Sequence, residues 1–446
     1  MKVNQILLIF ITLVLLPCSP IKKLEVMQKC PIFNLKSRVS ILSNGLFLPK
    51  KDKNIFKLFL DYDFIYNLIT PFLPEADTCE LSKTKDFSLM FPSAFWVQEK
   101  NLFLTVVRVN VNKNRSFLYT SWFDSDWNEV FIEETVGSTS VPGVIPIEIP
   151  DWDQENAGPE DPRIFKALKN EIFIAFNMLD HDRNRKMWLY SFKSGWYWPL
   201  SISQHNAADH FIEKNWIPLI TDTEHLYFIY SHKNLQIIDC TEMNKPCIWI
   251  RGKYDTFPNS LRGGTPYMRF RSSDFYVSIG YSHILYKLKD SQCHAYRPTL
   301  TIIYVTDRSP FYELIYASEP LDFEGKLFLK PALNVDSAEG IKFCQNARIM
   351  MALSIPKWDY GRDIVDITLS INDTAPVAIK ASGLTGIVEE VIELYEEQKL
   401  PKEDECAEKL AYWYYNIPDF KRRIIDITRL ATYQEDLLNG RVLDYF

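Results

Sequence analysis

From about residue 88 to 382 the chain alternates short runs of aromatic and β-branched residues with polar turns, and the runs come in pairs. Residues 102–109 pair with 116–123, 171–178 with 187–192, 225–232 with 235–240, 274–281 with 283–287, and 347–355 with 366–371. Runs of this length bounded by turn residues read as antiparallel strands. The leading run of each pair follows the one before by roughly 50 to 70 residues, the spacing of four-stranded repeats. A mainly β fold is therefore expected, with residues 86–385 forming a five-bladed β-propeller. A pair of stacked sheets is the alternative. It does not predict polar motifs at the same point of each unit, whereas the innermost strand of every propeller blade lines one central funnel.

The flanks have a different pattern. Residues 22–85 mix charged and apolar runs without a period and read as an N-terminal extension. Residues 387–399 set Ile387, Val388, Val391, Ile392 and Leu394 against Glu389, Glu390, Glu393, Glu396 and Glu397, an amphipathic helix with a solvated acidic face. Residues 403–415 and 420–438 read likewise, broken at Pro401 and Pro418, so 386–446 is expected to be a helical appendage. At the other end, Lys2 precedes nineteen uncharged residues, 3–21, and then Lys22 and Lys23. As a helix that segment reaches about 28 Å, just enough for a bilayer core of about 30 Å. Pro17 and Pro20 would break it early and fit a cleaved signal peptide cut near Cys18–Ser19. Residues 1–21 are thus a signal anchor or a signal peptide, and both deliver the chain to the secretory pathway.

Composition narrows the function. A hydrophobic fraction of 47% with 14% aromatics describes a folded protein. Only 15 glycines, with no GxGxxG or P-loop pattern, exclude the common nucleotide-binding α/β folds. A net charge of −7 with scattered basic residues excludes a nucleic-acid binder. Cys240 and Cys247 flank the turn Asn244-Lys245-Pro246 and are placed to close a small disulfide loop. Cys30, Cys79, Cys293, Cys344 and Cys406 make seven cysteines outside the leader, an odd count that leaves a free thiol or an intermolecular bridge. No CxxC or Cys–His cluster supports zinc. Asp124/Asp126, Asp151/Asp153 and Asp180/Asp182 have the Asp-x-Asp spacing of some metal-dependent transferases, but the pattern arises readily by chance, and no obligatory metal or cofactor is expected. Asn114 and Asn372 begin N-glycosylation sequons.

Four polar motifs interrupt the apolar runs: Gly158-Pro159-Glu160-Asp161-Pro162-Arg163, Glu213-Lys214-Asn215-Trp216, Leu261-Arg262-Gly263-Gly264-Thr265-Pro266, and Ser370-Ile371-Asn372-Asp373. Asp161 stands between Glu160 and Pro162, and the proline biases it towards extended backbone. An isolated Asp-Pro-Arg is more often a turn aspartate beside an arginine. In this order and spacing, however, the set resembles the fungal β-1,2-mannosyltransferases, which are related to five-bladed β-mannoside phosphorylases, over about residues 85–385.

The resemblance implies an inverting transfer of mannose from GDP-mannose to mannan or another mannosyl glycan, with Asp161 as the base on the acceptor hydroxyl, directly or through a sugar hydroxyl. It implies that Ser93, Arg108 and Asp373 hold the reacting mannose, although Pro92 stands where an Asn is usual before that Ser. It implies that Arg163, Lys214, Asn215, Arg262 and His283 serve substrate, with Lys214, Arg262 and His283 on the leaving diphosphate. Asn372 would then face the funnel and carry no glycan. Trp216 and Tyr267 would stack on a sugar or base, or else belong to the core. Tyr296 and Arg297 match the family pattern without a role. A Golgi membrane protein with a single N-terminal span is implied too. The alternatives are a phosphorylase releasing mannose 1-phosphate and a non-catalytic mannan-binding propeller.

Overall fold

The computed structural model describes residues 40–41, 55–58, 60–73, 87–111, 115–149, 157–203, 212–221, 225–232, 235–252, 261–288, 291–306, 311–321, 350–371 and 375–397. Within them the chain forms five antiparallel sheets of blade type, and strands follow chain order from the inner to the outer edge. Blade 1 comprises Phe87–Val97, Leu102–Val111, Arg115–Phe123 and Glu129–Val130. Blade 2 comprises Glu160–Ala167, Glu171–Leu179, Arg185–Ser191 and Tyr197–Pro199. Blade 3 is built from Ile217–Leu219, Tyr227–Ser231, Gln236–Asp239 and Ile248–Arg251. In blade 4 the inner edge is split into Leu261–Arg262 and Met268–Arg269, both paired with Phe275–Leu288, followed by Ser291–Thr306 and Phe311–Pro320. Blade 5 contains Met350–Asp359, Ile364–Ile371 and Ala375–Ser382.

The outer edge of blade 5 comes from the other end of the chain. Ser40–Ile41 and Ile55–Lys57 both pair with Ala375–Ser382. Part of the N-terminal extension therefore closes the ring, giving hydrogen-bond partners to an edge strand that would otherwise be bare. Phe87–Val97 then begins blade 1 at the inner edge.

Alternating strand residues face opposite sides of a blade, so each blade buries both faces against its neighbours. The result is one apolar seam per pair of blades. Val106, Leu118 and Trp122 meet Ile174, Phe176 and Tyr190 between blades 1 and 2. Phe165, Phe173 and Leu189 meet Trp216 and Phe228 between blades 2 and 3. Further seams join blades 3 and 4 around Ile229, Tyr267 and Ile303, and blades 4 and 5 around Val277, Ile302 and Ile367. Blade 1 meets blade 5 through Met90, Phe91 and Leu353. The Trp127 indole also donates to Asp366 Oδ1 at 3.0 Å across that junction. Each fully buried side chain stabilises by ~1.5–3 kcal/mol, so ring closure is apolar packing with a few polar ties.

Two expectations change. Residues 274–281 and 283–287 are not a hairpin pair but one strand, Phe275–Leu288, whose partner is Ser291–Thr306. Both halves are apolar and alternating, and the single Ser282 between them does not break the ladder. A short helix, Tyr62–Ile69, went unforeseen; Asp61 caps it by accepting from the Phe64 N–H at 3.0 Å. The expected C-terminal helix is present as Leu384–Glu396, with Leu384, Ile387, Val388 and Val391 packed into the seam of blades 4 and 5. The helices read at 403–415 and 420–438, the leader at 1–21, and both sequon asparagines, Asn114 and Asn372, lie outside the described residues. Among the described residues no helix is long and apolar enough to cross a membrane. Cys240 and Cys247 form the disulfide, behind the turn expected between them.

Candidate active site

The innermost strands carry a repeated device. In blade 1 the pairing register shifts between Met90 and Ser93, and in blade 2 between Glu160 and Arg163. Each shift holds a residue with positive φ directly before a proline: Phe91 at 52° before Pro92, and Asp161 at 51° before Pro162. Asn215 at 67° precedes the inner strand of blade 3, and Gly263 and Gly264 at 47° and 136° interrupt that of blade 4. Asp161 is therefore not extended, as its following proline suggested. A β-bulge places it in the left-handed region, which Asp and Asn tolerate better than other side chains. Such bulges re-aim side chains, and strained residues of this kind gather at functional sites.

Around Asp161 an acid and guanidinium cluster assembles from two blades. Arg108 Nη2 donates to Glu160 Oε1 at 3.0 Å, and its Nη1 lies 3.9 Å from Asp161 Oδ1. Arg185 Nη1 donates to Glu160 Oε2 at 2.6 Å and to Asn177 Oδ1 at 2.5 Å. The Asn177 amide in turn donates to Asp161 Oδ2 at 3.4 Å. The Asp161 side chain keeps 19% exposure, so it is held yet reachable. Burial pushes the Glu160 carboxyl above its ordinary value, and Asp161 adds to the push. Arg108, Arg185 and Lys214 oppose it.

A second group of the expected residues lines one cavity of about 240 Å³. Glu213, Lys214, Asn215, Arg262 and Gly263 all border it, joined by the edges of blades 3 and 4. Tyr281 connects this cavity to the acid cluster. Its hydroxyl donates to Asn215 Oδ1 at 2.5 Å, and the charges of Arg163, Asp161 and Arg262 all reach it. Gly263 is required there, since a Cβ would lie 2.5 Å from the Tyr281 ring. Burial raises the Glu213 carboxyl to about 6 although Trp216 and Tyr230 donate to it.

Not every expected residue faces the site. Ser93 is fully buried; its hydroxyl accepts from the Ile164 N–H at 3.0 Å and donates towards the Leu353 carbonyl at 3.5 Å. It ties blades 1, 2 and 5 together instead of meeting a sugar. Arg163, only 1% exposed, does not pair with the Asp161 carboxylate. Its Nη1 donates to the Asp161 carbonyl at 3.0 Å and its Nε to the Gly264 carbonyl at 2.6 Å. It is a positioning residue that links the bulge of blade 2 to the glycine pair of blade 4. Trp216 and Tyr267 are core residues. His283 lies opposite Tyr296 in strand register; its side chain, like Asp373 as a whole, falls outside the described residues.

Two of the Asp-x-Asp spacings are turn chemistry. Asp124 Oδ1 accepts from the Asp126 and Asn128 N–H groups, and Asp180 Oδ1 from those of Asp182 and Asn184. Asp151/Asp153 lies outside the described residues. Sequence reading missed Glu160 as a partner of Asp161, and also Asn177, Arg185 and Tyr281. Glu160 was inside the motif, but the other three carry no local signal.

His232, buried beside this cavity, yields a pH prediction. Its Nε2 lies 3.0 Å from the Tyr267 hydroxyl, and burial pushes its pKa down to about 4. Between pH 6.5 and 4 the unfolded chain binds a proton that the folded chain refuses, so the contribution to stability is full above pH 6.5 and is lost as pH falls through that window. The loss is roughly 3 kcal/mol for a shift of this size. Urea midpoints at pH 7 and pH 4.5 should therefore converge more in His232→Gln than in wild type. An unchanged pH slope would show that His232 does not set it.

The fold and site define a five-bladed propeller whose funnel joins an arginine-held acid pair to a basic cavity. Residues 193–412 match the family model described as Beta-mannosyltransferases. It is 27% identical over 300 residues to Beta-mannosyltransferase 4 of Komagataella phaffii, covering 61% of this chain and 57% of that one. It is 26% identical over 347 residues to Beta-mannosyltransferase 3 of Candida albicans, covering 69% and 60%. The chain thus spans less than two thirds of the length of these relatives. Among solved structures it is similar to MPT-1, a GDP-Man-dependent mannosyltransferase from Leishmania mexicana (11% identity, 69% of this chain and 94% of that one, TM-score 0.42). It is also similar to MPT-4, a mannose phosphorylase from the same organism (12% identity, 69% and 92%, TM-score 0.41). Neither structural likeness carries a residue role to this chain. The family match begins after Asp161, so the role of that residue rests on its own geometry.

Proposed function

We propose that this chain is an inverting β-1,2-mannosyltransferase that moves mannose from GDP-α-mannose to a mannan or mannosyl glycan. The observation that carries the reading is the Asp161 carboxylate, held at a strained bulge by Asn177 and Arg108 and joined through Tyr281 to a cavity bearing Lys214 and Arg262. Asp161 accepts the proton of the acceptor hydroxyl. The acceptor oxygen bonds to C1 of mannose, and the C1–oxygen bond to GDP breaks with its electron pair on the diphosphate. Lys214 and Arg262 stabilise that departing charge, so the reading invokes no metal ion. Delivery to a Golgi membrane by residues 1–21 belongs to the same proposal.

GDP carries more charge than inorganic phosphate and extends further from the sugar. Arg262→Ala should weaken GDP binding roughly ten- to hundredfold, the worth of one charge-assisted contact. Calorimetry of GDP against both proteins tests this without an acceptor. A wild type that ignores GDP but binds phosphate or mannose 1-phosphate is a phosphorylase. Equal GDP affinity in the two proteins would remove the diphosphate from Arg262.

A further inference from the structure

A second cavity, of about 330 Å³, opens at the outer part of blade 2 and has no place in the chemistry above. Its walls include Glu148, Asp180, His181, Trp188, Trp196 and Tyr197. Trp196 is 74% exposed, an unusual position for the largest apolar side chain. Its backbone nevertheless belongs to an ordered turn. The Trp196 N–H donates to Ser194 Oγ at 3.3 Å, and its carbonyl accepts from the Ser191 N–H at 3.0 Å. The Gly195 N–H also donates to the Ser191 carbonyl at 2.9 Å. The Trp188 and Tyr197 rings lie 5.9 Å apart, and the Tyr197 hydroxyl accepts from the Glu148 N–H at 3.0 Å. Aromatic surface is thus presented on fixed backbone beside two carboxylates.

This chemistry selects its ligand. A pyranose ring has an apolar C–H face that stacks on an aromatic ring, and its hydroxyls donate to carboxylates. Asp180 is already paired with Lys186 Nζ at 2.5 Å and caps its own turn, so Glu148 is the carboxylate that a phosphate or nucleotide would meet as a like charge. The volume is that of a small-ligand site. Its location adds a second argument. Asp180 directly follows the strand Glu171–Leu179, in which Asn177 holds Asp161, so one wall of the cavity stands at the acid-pair end of blade 2, while Trp196, across from Ser191, stands towards the other end. We propose that this cavity is a second carbohydrate subsite, which holds a distal hexopyranose of a glycan whose terminal sugar occupies the funnel. The choice of a mannosyl glycan rests on the function proposed above.

The test uses the full chain with mannobiose and mannohexaose as probes in calorimetry. Wild type should bind mannohexaose about tenfold more tightly than mannobiose, the scale expected when one ring is buried on an aromatic face. Trp196→Ala should abolish that margin and leave mannobiose affinity unchanged, while Trp196→Phe restores most of it. The exposed position makes either variant tolerable to the fold. Equal binding of mannohexaose by wild type and Trp196→Ala overturns the subsite, as does a wild type with no preference for the longer glycan. GDP titration in the same samples separates the two readings, because loss of GDP binding with the Trp196 effect intact sinks the transferase reading alone.

Discussion

Asp161→Asn is expected to lower turnover by about two to four orders of magnitude, the usual worth of a positioned base. Asparagine is the informative replacement because it tolerates the left-handed backbone at this bulge, where φ is 51°. It also keeps a carbonyl oxygen for the Asn177 amide, which donates to Asp161 Oδ2 at 3.4 Å. Alanine would add backbone strain to the loss of the base and blur the result. Initial rates with GDP-mannose and a mannobiose acceptor, beside a thermal melt, measure chemistry and fold separately. Near wild-type turnover would dismiss Asp161 as the base. Glu160 would then be the carboxylate to examine, since burial raises its pKa and two arginines hold it.

The second large effect falls on stability. Arg163→Ala should cost roughly 3–5 kcal/mol, because it leaves a void and two carbonyls without their donor. The carbonyls belong to Asp161 and Gly264, so the loss would also free the bulge of blade 2 from the glycine pair of blade 4. A denaturation midpoint shifted well below wild type is the expected outcome. If Arg163 instead served mainly as a substrate contact, the midpoint would stay within about 0.5 kcal/mol and the effect would appear in KM.

These two residues stand two positions apart in one motif, and nothing local to the motif tells them apart. The bulge separates them. With a register shift between Glu160 and Arg163, Asp161 keeps partial exposure while Arg163 enters the packed interior. Ser93 illustrates the same limit. A serine after Phe91-Pro92 is polar enough to meet a sugar, yet its hydroxyl fits the gap between the Ile164 N–H and the Leu353 carbonyl. Its partners are 71 and 260 residues away, and no local pattern reports on contacts at that separation.

What the sequence determined by itself was what short-range periodicity can encode. Alternating apolar runs marked strands in each blade, the Glu-rich stretch marked the helix Leu384–Glu396, and the turn at Asn244-Lys245-Pro246 marked the disulfide of Cys240 with Cys247. The long strand Phe275–Leu288 was misread for the same reason, because periodicity fixes a strand's faces and not its length. Tertiary structure decided the rest. It brought Arg108 of blade 1 and Arg185 of blade 2 onto Glu160, and set Tyr281 of blade 4 between Asp161 and Asn215. It also drew Ser40–Ile41 and Ile55–Lys57 onto the last blade. The physical reason is closure. Each blade buries its faces on its neighbours, so which polar groups meet at the centre follows from how the ring packs and where bulges turn the innermost strands.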